Sequence, residues 1–210
     1  MKRERMADHE SGGLVRLPGA KFVGEMRFEQ VARLRRSLRE YGAGALTLAE
    51  VAQLLWATQG MTGVAGLRTV PSAGELYPLE CYLVAGQVEG LATGLYRYEP
   101  RAHGLQPMAE GDLRVELAQA ALEQEWVREG AALLVLSAEF ERTRTVYGDR
   151  GTRYVWMEVG AAIQNAQLQA ASLGLGSVVV GAFDDAAVKE RLQLPAAESV
   201  VAMVPLGRLP

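Results

Sequence analysis

The stretch "RTVPSAGELYPLE", residues 68–80, is where the reading of this chain turns. Pro71 is rigid, and Ser72, Ala73 and Gly74 behind it carry almost no side-chain volume. Bulk returns at Leu76, Tyr77 and Pro78. A tight turn accounts for such a run. So does a flat ligand lying against the backbone, since backbone groups approach a surface closely only where side chains are small. The residues alone leave both open.

Working outward, "MTGVAGLRTVPSAG" (61–74) is rich in glycine and proline and reads as a loop. Before it, Thr47 and Glu50 have capping-box spacing and open a helix in "LTLAEVAQLLWATQG" that stops at Gly60. Further upstream, apolar residues at 28, 31, 34, 38 and 41 predict a helix over Phe28–Tyr41. After the loop, "LECYLVAG" and "GLYRYEP" read as strands. Asp112 is placed to cap a helix running to about Glu125, and "AALLVLSAEF" is a buried strand. "RYVWMEVGAAIQNAQLQAASLG" (153–174) is apolar or small around nearly its whole circumference, with Glu158 its one charge after Arg153. Such a helix is buried on most sides, in a core or at a subunit interface. "GSVVVGAF" follows as a strand, then a short helix over 185–192 and a last strand in "ESVVAMVPLG". Helices and strands mix without steady βα alternation, which predicts an α+β fold.

The bulk numbers bound the function. A chain of 210 residues that is 49% hydrophobic forms one domain with a sizeable core, expected over residues 21–210. Residues 1–20, polar with Gly12, Gly13 and Pro18, read as a flexible arm. A net charge of −3 gives no case for nucleic acid or for an anionic membrane surface. Cys81 is the single cysteine, and neither His9 nor His103 belongs to a metal motif, so no metal is expected. The N-terminus is charged without an apolar h-region, and no apolar run approaches the ~20 residues of a membrane span. The expected location is cytoplasmic.

Chemistry has few places to reside. "RLRRSLR" sets Arg35, Arg36, Ser37 and Arg39 close together, a donor set suited to a phosphate. A solvated basic helix face is the alternative. Arg208, after the last strand, is placed to join the same anion. There is no P-loop, no dinucleotide fingerprint and no nucleophile elbow. If the chain is an enzyme, a bound cofactor is favoured over side-chain nucleophilic catalysis.

Several of these segments, in this order, resemble the nitroreductase superfamily, and within it the SagB-type (azoline) dehydrogenases: "RRSLR", "LTLAEVAQLLWATQG", "RTVPSAGELYPLE", "GLYRYEP", "YGDRGTRYVWMEVGAAIQNAQLQAASLGLGSVVVGAF" and "VVAMVPLG". The resemblance runs from about residue 27 to 208. It implies a homodimer with a central mixed β-sheet wrapped by helices and FMN at the subunit interface. Arg35, Arg36, Ser37 and Arg39 would then meet the FMN phosphate and the polar edge of its ring. Pro71, Ser72, Ala73 and Gly74 would border the isoalloxazine, either their own copy's or the one bound mainly by the partner subunit. Val180, Gly181 and Ala182 would pass its other face. Gln164 and Asn165 would reach the flavin or else satisfy buried backbone. Glu75 stands where many nitroreductases carry an asparagine, and an ionised carboxylate has no donor to offer. Val146-Tyr147 replaces the Lys-Tyr of the azoline dehydrogenases, leaving Tyr147 as the proton-handling residue of that pair.

The implied activity is hydride transfer through flavin N5, with NAD(P)H, a small molecule or a peptide azoline as electron partner. The rival is a non-catalytic subunit that keeps the fold to bind a partner in a peptide-modifying complex. Other residues take plainer readings. Tyr96, Tyr98 and Cys81 are packing residues, and Trp56 and Trp156 belong to a core. Glu139, Glu141, Arg142 and Arg144 form a solvated loop. Arg150 and Arg153 lie at the site entrance or in a structural salt bridge.

Overall fold

The computed structural model describes residues 13–63 and 65–210. In chain order the elements are β1 (Val15–Arg16), α1 (Phe28–Leu34), β2 (Leu46–Thr47), α2 (Leu48–Gln59), β3 (Leu79–Ala85), β4 (Val88–Glu89), β5 (Gly94–Glu99) and β6 (Gly104–Glu110). Then come α3 (Arg114–Ala120), α4 (Glu125–Glu129), β7 (Ala132–Ala138), α5 (Phe140–Tyr147), α6 (Arg150–Ser172), β8 (Leu175–Ser177), α7 (Asp185–Arg191) and β9 (Ser199–Arg208).

Seven strands form one sheet in the order β1-β6-β5-β3-β7-β9-β8. Every pairing in it is antiparallel. The α+β class therefore holds, while the expected mixing of strand directions does not. The parallel pair β2–β4 stands apart as a small second sheet. Side chains alternate across the central strands as the pleat requires. Cys81 and Leu83 of β3 join Leu134, Leu136 and the α2 and α6 residues Leu54, Leu55, Val155 and Val159. Tyr82 and Val84 face the other way, toward Leu117 of α3, Val127 of α4 and Val188 of α7. Helices thus cover both faces, with α2 and α6 on one and α3, α4 and α7 on the other.

Local rules explain where the helices begin. Thr47 accepts from the Glu50 N–H at 3.2 Å, and the Glu50 carboxylate accepts from the Thr47 N–H at 2.7 Å, closing the capping box of α2. Gly60 ends that helix as its C-cap. The helix expected over Phe28–Tyr41 stops at Leu34 instead, with Arg35 already extended (φ −54°, ψ 123°). Tertiary contacts pull the rest away: Leu38 donates its N–H to Ser177 O at 2.9 Å, and Gly42 bridges Arg208. The Tyr41 ring rests on Gly207, where an added Cβ would lie 2.6 Å from it. Arg35 and Arg39 consequently share no helix face.

Other boundaries also moved. The helix expected from Asp112 to Glu125 is two, α3 and α4, and Asp112 binds Arg114 rather than capping. The strand expected in "GSVVVGAF" ends at Ser177, leaving Val180 to pair singly with Met203. Of the N-terminal arm, residues 1–12 fall outside the described residues, but Val15 and Arg16 add an edge strand to β6. No helix among the described residues is long and apolar enough to cross a membrane.

Candidate active site

The 68–78 stretch is a built ledge rather than a loose turn. Pro71 and Gly74 are exposed, Ser72 and Ala73 half-buried. Gly74 takes φ 61°, which glycine adopts freely. Glu75 (φ 56°) and Tyr77 (φ 46°) follow it into the left-handed region, where side chains carry a steric cost. That strain persists because several groups hold the backbone in place. The Ser72 hydroxyl accepts the Tyr77 N–H at 2.9 Å. Arg142 of α5 donates to the Tyr77 carbonyl at 2.6 Å and also binds Glu80 and Glu139. The Arg68 guanidinium lies 4.5 Å from the centre of the Tyr77 ring and donates to Gln59 at 2.8 Å.

Two helices bring further groups to the ledge. A Cβ added at Gly74 would sit 2.8 Å from the Tyr147 hydroxyl at the end of α5, so this glycine also makes room for the phenol. The Tyr147 ring packs edge-on against Tyr154, their centres 5.2 Å apart. Tyr154 and Glu158, one turn apart on α6, line a cavity of about 320 Å³ with Pro71, Ser72, Ala73 and Met157. Glu158 is 3% exposed, and its Oε1 has no hydrogen-bond partner. Burial pushes its carboxyl up to about 7, against the Ser72 hydroxyl and the charges of Arg68 and Arg142, which pull the other way. Sequence reasoning noticed Glu158 as a lone charge but gave it no role. It also placed Arg142 in a solvated loop, where the chain in fact forms α5.

The arginine segment is a different place. Arg36 and Arg39 are exposed, as is Ser37, while Arg35 is half-buried. Arg36 reaches the Arg33 carbonyl at 3.3 Å, and Arg39 lies over the Trp126 ring at 5.3 Å. Arg208 is committed elsewhere: it forks onto Glu50 at 2.6 and 2.8 Å and donates to the Ala45 carbonyl. All its nitrogens are engaged, so this geometry gives no support to its joining the cluster on one anion. Burial raises the Glu50 carboxyl, yet the hydrogen bonds from Arg208 and Thr47 outweigh it and hold the group below the usual range.

The remaining candidates divide. Asn165 donates to the Ala57 and Thr69 carbonyls, satisfying backbone, while Gln164 is exposed. The Val180 N–H is taken by Met203 at 2.8 Å, and the Ala182 carbonyl accepts from Gln124. Gly181 is exposed and open around its Cα. Glu75 is exposed and makes no salt bridge among the described residues, nor do Arg150 and Arg153. Burial pushes the Cys81 thiol up to about 12, consistent with a packing role. Trp156, expected in a core, is half exposed beside Met157 on α6. No group of acids, histidines and cysteines among the described residues has the makings of a metal site.

Comparisons with known proteins agree with this architecture. The chain is 44% identical over 186 residues to the inferred nitroreductase MJ1384 of Methanocaldococcus jannaschii, covering 89% of this chain and 93% of that one. A crystal structure of an inferred nitroreductase from Ralstonia eutropha superposes with a TM-score of 0.81 at 28% identity, covering 100% of this chain and 96% of the other. The microcin B17-processing protein McbC of Escherichia coli is 30% identical over 132 residues, 60% of this chain and 48% of that protein. The model of the nitroreductase family matches residues 32–208, nearly the whole described fold. The chain belongs to the nitroreductase family, whose members are flavin-dependent oxidoreductases.

Proposed function

We propose that the protein is an FMN-dependent oxidoreductase that works as a homodimer, each cofactor held between two copies. The observation that carries this reading is the separation of the two candidate subsites along α6. The ledge packs on Tyr154 and Glu158, in the first half of the helix. The arginine segment leaves α1, which adjoins Leu168, Gln169 and Ser172 near its end. Fourteen residues of helix between Glu158 and Ser172 amount to roughly 20 Å. One copy thus offers a phosphate-binding end and a ring-binding ledge at different places, and two copies related by symmetry could pair them. An exposed stripe on α6, with Trp156 and Met157 at 51% and 62% exposure, supplies an apolar surface for such pairing.

The residues present fit the cofactor. Arg35, Arg36, Arg39 and the Ser37 hydroxyl are donors suited to its phosphate and to the anionic edge of its ring. Pro71, Ser72, Ala73 and Gly74 leave a ledge without bulk for the flat ring system, with Gly181 and Ala182 as backbone for the opposite face. Bound FMN would supply a hydride acceptor and donor at N5. The protein's part is to seat the reacting atom there, to exclude water, and to present Tyr147 and Glu158 at the ledge. NAD(P)H, a small acceptor or a peptide azoline would exchange the electrons.

Denaturing the purified protein and identifying what it releases tests this directly. FMN in the supernatant, and a dimer on gel filtration, are expected. Colourless protein that cannot be reconstituted with FMN would refute the reading. Ser72→Trp should cost FMN binding or dimerisation, and a yellow, dimeric variant would remove the ledge from the cofactor site.

One observation favours a second reading. The likeness to McbC, together with Val146 at 60% exposure beside Tyr147, fits a subunit that keeps the fold to bind a peptide-modifying partner. Absence of flavin together with capture of a peptide substrate would favour it.

A further inference from the structure

Among the described residues two carboxylates are buried, and they are held differently. Glu198 uses one oxygen to accept from both the Tyr82 and Ser137 hydroxyls, on the sheet face away from the ledge. Glu158 faces the ledge with an oxygen that nothing satisfies. The Ser72 hydroxyl already accepts the Tyr77 N–H, so its own hydrogen is free to be donated, and the Glu158 carboxyl, which it helps toward the ionised form, lies beside it on the same cavity. Glu158 lines the cavity beside Ser72, and its Oε1 is buried there without a partner. A buried polar atom without a partner is costly unless a ligand or a proton completes it.

The charged and titratable groups around Glu158 come from each packed element. Arg68 approaches from the loop before the ledge and Arg142 from α5, while Glu80 of β3 offsets both. Tyr77 belongs to the ledge, Tyr154 to the same helix, and Tyr147 stacks beyond Tyr154. No arginine or lysine forms a salt bridge with Glu158 among the described residues. The carboxyl therefore has no ion partner fixing it as an anion. Two cations nearby nevertheless ease its ionisation. This is the environment of an exchangeable acid.

We propose that Glu158 is the acid–base residue of this site, its carboxyl exchanging a proton with a substrate oxygen or nitrogen that gains or loses charge as hydride moves. The proposal rests on the flavin-dependent reading above. For a nitro acceptor, the hydride from reduced flavin brings two electrons to the group and one N–O bond breaks. The departing oxygen takes that hydrogen and the proton from Glu158, leaving as water and giving the nitroso product. For an imine, hydride adds to carbon and the Glu158 proton to nitrogen. In the reverse sense the carboxylate removes the N–H proton as hydride leaves carbon. Either way Glu158 ends in the opposite protonation state and re-equilibrates with solvent. Tyr147 stays at the ledge as a hydroxyl contact, and the valine beside it leaves the titrating role to α6.

The test uses FMN-loaded protein reduced with dithionite and mixed anaerobically with 4-nitrobenzamide, a neutral probe, between about pH 5 and pH 9. The wild-type reoxidation rate should fall as pH rises through about 7, where the acid form of Glu158 is lost. Glu158→Gln should be slower by roughly 100-fold and flat over the same range. Ser72→Ala, which removes a hydrogen bond favouring the ionised carboxyl, should move the wild-type inflection to higher pH. It provides an independent reading if Glu158→Gln folds poorly. Infrared titration of the flavin-free protein should show a protonated carboxyl band that disappears through the same range and is missing in Glu158→Gln. Protein that takes up no FMN would refute the redox reading and this proposal with it. FMN-loaded, reducible protein whose Glu158→Gln variant keeps the wild-type rate and pH limb would overturn this proposal alone. So would an inflection unmoved by Ser72→Ala.

Discussion

The ledge and the arginine segment differ in how the fold holds them. The ledge is over-determined: two non-glycine residues at positive φ are kept there by Ser72, Arg68 and Arg142. The arginine segment is a non-helical run with mostly exposed side chains, one of them reaching back to a carbonyl of α1 and another a half-buried indole. A rigid surface can receive a flat ring without reorganising, whereas flexible cations can close on a phosphate that arrives. On this view the ledge is finished before any ligand binds and the arginines complete their geometry only with one. Mutations should therefore separate the two, large in stability at the ledge and small at the arginines.

The largest effect is expected at Arg142. Its guanidinium ties the Tyr77 carbonyl to Glu80 and Glu139, and Glu80 keeps Arg97 as a second partner. Arg142→Ala leaves the strained carbonyl and part of the acid pair unmet, at a cost of about 2–3 kcal/mol. Arg142→Lys keeps the charge without the fork and should recover only part of this. Urea denaturation of the three proteins measures it, and an alanine variant as stable as wild type would mean the ledge holds itself.

Glu158 should give an effect of comparable size, visible as a pH dependence. Its folded-state carboxyl is raised to about 7 by burial, above the ordinary glutamate value it has when unfolded. Folding therefore takes up a proton between those two values. This group's contribution is greatest below the unfolded value, declines as pH rises through about 7, and is level above. The decline should be on the order of 3 kcal/mol across that range. Glu158→Gln, which cannot ionise, should flatten that part of the stability–pH curve. Identical curves for both proteins would show that the carboxyl is solvated as an anion.

How much of this was legible follows the reach of each interaction. The α2 capping box was readable because Thr47 and Glu50 act across three residues. The small side chains of 72–74 were readable as a place where bulk is kept out, and Gly74 does make room for the Tyr147 hydroxyl. What failed depended on distant partners. Residues 35–41 have helical spacing, but contacts with Ser177 and Gly207 keep them out of the helix. Pro107 hid strand β6, which accommodates it opposite Tyr96 at a bulge. The α5 residues looked solvated because the groups that Arg142 binds, Tyr77 and Glu80, lie more than sixty positions earlier. Glu158 was visible as a lone charge, yet only folding shows it beneath Ser72.

The smallest stability effect belongs to the arginines, and it is the sharpest test of the contrast. Arg35→Ala combined with Arg39→Ala removes one cation of the segment and the Trp126 contact, so stability should change by no more than about 1 kcal/mol. Affinity for FMN should nonetheless fall, because phosphate contacts from arginine are charge-assisted and bidentate. Titrating FMN into stripped protein by fluorescence quenching measures this at two salt concentrations. The wild-type affinity should weaken with salt and the variant's less so, since the screened charges are the ones removed. Unchanged affinity in the variant would place the phosphate elsewhere on the chain. A large loss of stability would mean that the segment, like the ledge, is built before the ligand arrives.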